Sequence, residues 1–405
     1  TYLPLPVDKF CLMYFSSQYN IFGLNMQQIF DNLREFCGFT LKPMAFNPFG
    51  TLTEIRRNAL KSTPKSSGRR RSSVHRLYRI LKRRFCPIYP LPMTDCAATV
   101  DVTYPSIPLF LIYNPDLVEY MLNPIFKMIS EGDWRFKYAP HDVGQYPLLN
   151  GQVYGESSGE LQESNQMPVE ECGNMLLCVA AACRAKKDTS YAEKHFDLLK
   201  QWTDYLTEYG YNPENQLCTD DFAGHLAHNC NLSVKAIAGI AAWGMVLNMM
   251  NKKDEAEGYT KKARELAEAW KNDAFDGNFY RLAFDQKNSW SIKYNLVWDK
   301  LFGMNIFDED IFTDEVNYYM TKINEYGLPL DSRSDYTKSD WQMWSTVLCD
   351  NKEYTDAIVS AMMNMLAEAP VRAPFGDWYY SSTARQREFQ NRTVQGGLFI
   401  NMLKF

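Results

Sequence analysis

Two acidic pairs and a few histidines are the residues of this sequence whose types and spacing could do chemistry. The stretch LCTDDFAGHLAHN, Leu217 to Asn229, sets Asp220 beside Asp221 and follows them with His225 and His228, two of the chain's five histidines. Glu170 and Glu171 form a second adjacent pair in VEECGNM. A single carboxylate at a helix start is explained by capping of free N–H groups and by the positive end of the helix dipole. A second one beside it adds like-charge repulsion, which raises one pKa towards the value a general acid needs. Paired carboxyl groups serve glycoside hydrolysis, in which one protonates the leaving oxygen and a base about 6.5–9.5 Å away activates water. Amide hydrolysis can use the same acid and base.

Further candidates to shape a pocket are Asp299 in VWDK, Asp340 beside Trp341, Asp377 beside Trp378, and His141, Asp142 and Tyr146 in HDVGQYPLLNGQ. Of His225 and His228, one is expected to orient substrate or a carboxylate while the other packs; Asn229 follows them directly. No HExxH pattern or further ligand accompanies this pair, so no metal and no cofactor is assigned. His195 falls on an amphipathic helix and reads as structural.

These residues lie far apart in the chain, so its elements must gather them. VEECGNMLLCVAAACRA is apolar almost all round, as a helix buried on every side must be. YAEKHFDLLKQWTDYLTE then puts Tyr191, Leu198, Trp202 and Leu206 on one face. The alternation recurs. NLSVKAIAGIAAWGMVLNMM is buried, and EAEGYTKKARELAEAW is amphipathic through Tyr259, Ala263, Leu266 and Trp270. WSIKYNLVWDKLFG precedes a stripe of Phe312, Val316, Tyr319 and Ile323; TKSDWQMWSTVLC and EYTDAIVSAMMNMLAE make the next pair. QNRTVQGGLFINML ends the chain, and YPSIPLFLIYN with PDLVEYMLNPIFKMI precedes the series.

Buried helices thus start near 169, 231, 290, 337 and 389, roughly 50 to 60 residues apart, the period of a helical repeat. Six inner helices within six outer ones predict an all-α fold, an (α/α)6 toroid of six helical hairpins. An open solenoid is the alternative, but it needs polar terminal caps that are missing. Inner-to-outer connections such as KKDTS and NKKD are short, whereas 132–168, 209–230, 273–289, 326–336 and 369–388 are long. In a ring, the long ones share one end with the N-termini of the inner helices. Long loops on one face of a rigid scaffold carry function.

The bulk composition excludes several classes. A net charge of −5 over 405 residues gives no general reason to expect a nucleic-acid partner. No run of 18 apolar residues occurs, so no membrane span is expected. Aromatics reach 14%, with nine Trp and 25 Tyr, whose apolar face and polar tip suit sugar or peptide binding, although most are expected to be core. Ten cysteines are scattered without a C-x-x-C, and Cys172, Cys178 and Cys183 share one apolar helix, so they read as structural thiols. The chain opens at TYLPLPVDKF with neither Met nor an apolar leader, so any export signal is expected to have been removed or never present. No oligomeric state is assigned.

TVDVTYPSIPLFLIYNPDLV, HDVGQYPLLNGQ, MPVEECGNM, LCTDDFAGHLAHNCNLSVKAI, KYNLVWDKLFG, GLPLDSRSDYTKSDW and NRTVQGGLFI together resemble the catalytic-like C-terminal region of the glutaminase A family, over about residues 98–405. The resemblance implies a six-helical-hairpin toroid of the kind shared with many glycoside hydrolases, amidohydrolase activity on L-glutamine, and export from the cell. Within the N-terminal segment 1–97, the TYLPLPVDK start fits a family-like stretch, but residues from about Phe10 to Thr94 depart from it. From Arg56 to Arg84 there are twelve Lys or Arg and no acidic residue. This segment is expected to be divergent or mistranslated through compensating frameshifts, partly disordered, and the one region able to supply the ring's remaining outer helix. Translating the coding DNA in all three frames tests that. The functional expectation is a glutaminase-type hydrolase using Glu170, Glu171, Asp220 and Asp221 as acid and base on a small-molecule substrate, glutamine or a sugar. The alternatives are a glycosidase of the same architecture and a non-catalytic binding module.

Overall fold

The computed structural model describes residues 96–405 apart from 133, 146–148, 158, 219–223, 372–373 and 388. Tyr146, Asp220, Asp221 and the basic N-terminal segment, with any outer helix it supplies, therefore lie outside the described residues. Six inner segments follow one another: α1 (Val100–Tyr113), α3 (Pro168–Lys186), α6 (Cys230–Met249), a 3-10 turn at Tyr294–Leu296 running into α8 (Val297–Phe302), α10 (Ser339–Ser345), and a 3-10 helix at Thr393–Met402. Each packs beside the next, and the last packs on α1, so the ring closes. Between them run α2 (Asp116–Ser130), α4 (Ser190–Lys194) with α5 (Phe196–Tyr209), α7 (Lys253–Ala274), α9 (Glu309–Met320) and α11 (Lys352–Glu368).

Patterning explains which helix goes where. α3 is buried from Val169 to Cys183 without interruption. α6 is long and apolar enough to cross a membrane, yet 94% of its apolar window is buried inside this ring, which makes it a core helix. The outer helices bury single stripes. In α5 the stripe is Leu199, Trp202 and Leu206, the expected Leu198 being half-buried at its edge, and the expected single helix is interrupted at His195. In α7 it is Ala256, Ala263, Ala267, Trp270 and Ala274, leaving Tyr259 and Leu266 half-buried at its edge. Two inner elements are shorter than the pattern suggests. Residues 290–292 are extended, Ile292 donating to the Leu330 carbonyl at 2.8 Å, so helix begins only at Tyr294.

Ring closure depends on glycine. A Cβ on Gly396 would lie 2.3 Å from the Ser106 carbonyl oxygen of α1, and one on Gly397 would lie 2.9 Å from both Asp340 Cβ and the Pro105 carbonyl oxygen. Only bare backbone allows the last segment to seat there.

The axis is filled by aromatic and amide side chains. Tyr104 of α1 donates to Asn295 Oδ1 at 2.7 Å and accepts from Trp298 Nε1 at 2.7 Å; Asn295 Nδ2 donates to the Asn231 carbonyl at 3.1 Å. Trp341 stacks on Tyr294 with centroids 3.9 Å apart, and Trp344 meets Tyr104 edge-on. Tyr104, Trp298, Trp341 and Trp344 are all fully buried. This layer spans the ring and floors whatever lies above it.

The connections are asymmetric as expected: 187–189 and 250–252 turn quickly, while 210–229 and 369–392 are long. Among the latter, β3 (Tyr336–Lys338) pairs antiparallel with β4 (Trp378–Tyr380), with Lys338 opposite Trp378, and so ties two long loops together at the start of α10. A second pair, β1 (Glu156–Ser157) with β2 (Glu160–Leu161), lies in the loop before α3. The seven described cysteines are free, all buried but Cys349.

Candidate active site

Above the aromatic floor, the first turns of the inner helices present charged side chains. α3 places Glu170 and Glu171 there. Glu170 Oε1 accepts from Lys235 Nζ of α6 at 2.5 Å and from Asn174 Nδ2 at 3.2 Å, and Asn174 Oδ1 accepts from the same ammonium at 2.8 Å. The ammonium also sits 4.4 Å over the Tyr104 ring. Its neighbour differs. Glu171 Oε2 accepts only from Asn174 Nδ2 at 3.0 Å, and Glu171 Oε1, buried, has no hydrogen-bond partner among the described residues. Burial, reinforced by the negative charge of Asp101, lifts the Glu171 carboxyl well above the usual carboxylate range, the nearby His141 only partly opposing. The two adjacent glutamates therefore differ: Glu170 is ion-paired to Lys235, and Glu171 holds its proton more tightly than an ordinary carboxyl.

Asp101, in the first turn of α1, faces them. Its Oδ1 lies 3.5 Å from His141 Nε2, and a ligating atom of each of Asp101, His141 and Glu171 lies within 4.8 Å of the others. His141 Nδ1 lies 2.9 Å from Asp142 Oδ2. Asp142 is held in turn by the N–H groups of Gly144 at 2.7 Å and of Val153 and Tyr154 at 3.3 Å. Gln152 accepts the His141 N–H at 2.7 Å, and Tyr154 stacks on the imidazole at 4.0 Å. Burial disfavours the imidazolium, but Asp101, Asp142 and Glu171 outweigh it and raise the His141 pKa to about 10. Of the described residues, these three could also hold a metal ion.

A second cluster adjoins α1 from the other side. Lys338 Nζ lies 3.0 Å from Asp340 Oδ2 and 3.7 Å from Asp377 Oδ2, while Arg392 grips Asp377 through two bonds of 3.1 and 2.5 Å. Burial opposes the Asp377 carboxylate, but Arg392 and Lys338 win and hold it below its usual pKa. Asp340 is raised by burial and by Asp377, and its Oδ1 has no hydrogen-bond partner among the described residues. Asp101 also contributes to the field that keeps Arg392 charged, which links the two clusters.

The other candidates separate by placement. Asn229 caps α6, accepting from the N–H of Asn231 at 2.9 Å and Leu232 at 3.0 Å, so its side chain is committed to the helix start. His228, at φ 62°, bonds Asn212 at 2.8 Å, and His225 is exposed. Asp299 does not face the rim. It accepts the N–H groups of Ile306 and Phe307 at 3.0 Å and anchors the short α8–α9 turn at the opposite end. Trp341 belongs to the aromatic floor, and Trp378 is buried on β4 with Arg387 over its ring at 4.5 Å. His195 packs flat on Phe126 at 3.7 Å, and burial lowers its pKa to about 4. GESSG at 155–159 has the spacing of a nucleophile elbow, but Ser157 is exposed on the β1–β2 hairpin and no helix follows it directly.

Sequence reasoning missed Asp101, Asn174, Lys235, Lys338 and Arg392. Asp101 alone gave a signal, as an acid in the first turn of an inner helix, but a lone acid there reads as a dipole partner. Lys235 and Asn174 sit inside apolar helix patterns, where a charge or amide has meaning only once its partner across the interface is known.

Over residues 93–402 the sequence matches the glutaminase A six helical-hairpin domain. Glutaminase A of Aspergillus oryzae is 33% identical over 313 residues, 75% of this chain and 44% of that protein. A probable glutaminase of Arthroderma benhamiae is 27% identical over 367 residues, 69% of this chain and 42% of that protein. The chain spans less than half the length of these curated relatives. Among solved structures, a glycosidase variant in complex with glucose superposes with a TM-score of 0.55 at 8% identity, covering 81% of this chain and 94% of the other. A bacterial glucoamylase complexed with acarbose gives 0.52 at 12% identity, covering 73% and 47%. At such identities the likeness is one of fold. A ring of inner helices with acids at one mouth, matched by sequence over most of its length, identifies the chain as a member of the glutaminase A six helical-hairpin family.

Proposed function

We propose that the chain is a hydrolase of the glutaminase type, cleaving the side-chain amide of L-glutamine at the Asp101–His141–Glu171 end of the ring. The observation that carries this is the buried carboxyl of Glu171, its pKa raised by burial and by Asp101, with one ligating atom each of Glu171, Asp101 and His141 within 4.8 Å of the others. In this reading Asp101 takes a proton from water as its oxygen bonds to the amide carbon. Glu171 gives its proton to the amide nitrogen as the C–N bond breaks, and ammonia and glutamate leave. His141, clamped by Asp142, fixes the orientation of Asp101. Glu170 stays ion-paired to Lys235 and sets the position of Asn174, which holds Glu171. The reading takes the chain to be exported, as the family resemblance implies.

A glycosidase is the second reading, on the observation that the fold neighbours named above include a glycosidase and a glucoamylase. On a sugar, carboxyl groups this near would suit a retaining pair, with Asp101 as nucleophile and Glu171 as acid, rather than an inverting one. The test is ammonia release from L-glutamine set against sugar release from a panel of aryl glycosides and oligosaccharides. Ammonia release is expected, with Glu171→Gln lowering kcat by about 10²–10⁴-fold, the usual contribution of a general acid. Sugar release without ammonia, or full turnover by Glu171→Gln, overturns the proposal. A protein that binds glutamine but turns over neither class is a binding module.

A further inference from the structure

Asp101, His141 and Glu171 reach one point from three separate segments: the first turn of α1, the loop at 131–167, and the first turn of α3. Two features go beyond a chance gathering of acids. First, His141 is oriented for ligation. Its Nδ1 is engaged by Asp142, and Asp142 is itself immobilised by three backbone N–H groups, so Nε2 is the nitrogen presented to Asp101. A carboxylate that holds one imidazole nitrogen so that the other can bind a metal is the usual outer support of a histidine ligand. Second, Glu171 is 1% exposed, and its Oε1, like Asp101 Oδ1, is buried with no hydrogen-bond partner among the described residues. Buried acceptors are rarely left in that state unless something outside the protein satisfies them.

The spacing fits a particular class of ion. Asp101 Oδ1 and His141 Nε2 are 3.5 Å apart, longer than a good hydrogen bond. Ligand atoms around tetrahedral zinc, with bonds of about 2.0–2.2 Å, lie roughly 3.4 Å from each other. One imidazole and two carboxylates suit zinc and its first-row neighbours better than calcium, which takes six or more oxygens. We propose that Asp101, His141 and Glu171 form a binding site for one zinc-class divalent cation, with the remaining coordination position open at the rim on the side of Asp101, the member with exposed surface. A cation there displaces the protons on His141 Nε2 and Glu171 to solvent and withdraws both carboxylates from proton transfer, so it inhibits the hydrolysis proposed above. Binding itself does not depend on which substrate the enzyme takes.

The experiment uses the full chain, stripped with a chelator and desalted. It is titrated with Zn²⁺ in a calorimeter, and the bound metal is counted by inductively coupled plasma mass spectrometry. One ion per chain is expected, at micromolar affinity or tighter. Asp101→Asn and Glu171→Gln, which keep size and shape, are each expected to weaken it at least 100-fold with an unchanged circular dichroism spectrum. Asp142→Asn, which touches no ion, is expected to weaken it about 10–100-fold. No stoichiometric binding by the wild-type chain, or undiminished binding by both Asp101→Asn and Glu171→Gln, overturns the site. Ammonia release by the stripped enzyme is expected to fall as one equivalent of Zn²⁺ is added, and a rise overturns the inhibitory role. A chain that binds zinc yet never hydrolyses glutamine refutes the glutaminase reading and leaves the site standing.

Discussion

At the scale of single residues, the adjacent glutamates show how one sequence motif splits into two roles. Adjacency was legible in VEECGNM, but the Glu171 carboxyl is raised first by burial and then by Asp101, with the neighbouring Glu170 a smaller cause than the like-charge argument supposed. Which of the two is ion-paired was not legible, because that depends on Lys235, 65 residues away, reaching Glu170 and leaving Glu171 with an amide alone. The same locality hid Asp101. If Glu171 is the acid, kcat/KM for glutamine is expected to hold through the usual carboxylate range and to fall only as pH rises through the raised Glu171 pKa. An alkaline limb already complete near pH 5 would show that another group delivers the proton. Replacing Lys235 by Met, which keeps the stem, removes the cation from Glu170 and leaves that buried carboxylate without its charge partner. Both loss of stability and a shifted activity profile are expected, and the profile is read from pH–rate data on whatever fraction folds.

At the scale of elements, long periodic segments were readable and short ones were not. α3, α6 and α7 run 19, 20 and 22 residues, long enough for burial or a stripe to repeat several times. α8 and α10 run six and seven residues, and the closing segment is a 3-10 helix, so periodicity could announce an inner element but not its extent. The glycines of QGGLFI are the informative residues there, since they mark where backbone meets backbone. Gly396→Ala puts a methyl against the Ser106 carbonyl and is expected to cost about 1–3 kcal/mol, as overpacking does. Urea denaturation measures it. Gly258, on the open face of α7 with nothing near its missing Cβ, is the matched control, and Gly258→Ala there is expected to be neutral or stabilising.

At the scale of the whole molecule, two long loops and the closing segment are pinned by buried charges: Lys338 of β3, Asp340 of α10, Asp377 beside β4, and Arg392. Removing one member leaves the others unpaired in a dry site, so Arg392→Ala is expected to lose about 3–5 kcal/mol of stability. Asp377 has a folded-state pKa below its unfolded value, so its contribution is fully present above the unfolded pKa and disappears as pH falls through the lowered one. Acid unfolding of Asp377→Asn is therefore expected to lose that part of the pH dependence, which paired denaturation curves at pH 2 to 6 would reveal. The layer of Tyr104, Asn295, Trp298 and Trp341 has a different consequence, for traffic. Those packed rings lie directly under Lys235, whose ammonium sits 4.4 Å over the Tyr104 ring, and they leave the first-turn acids approachable from the side of Asp101, the half-buried member. On the hydrolase reading proposed above, both products of one cleavage would then leave past the same acidic side chains that admitted the substrate.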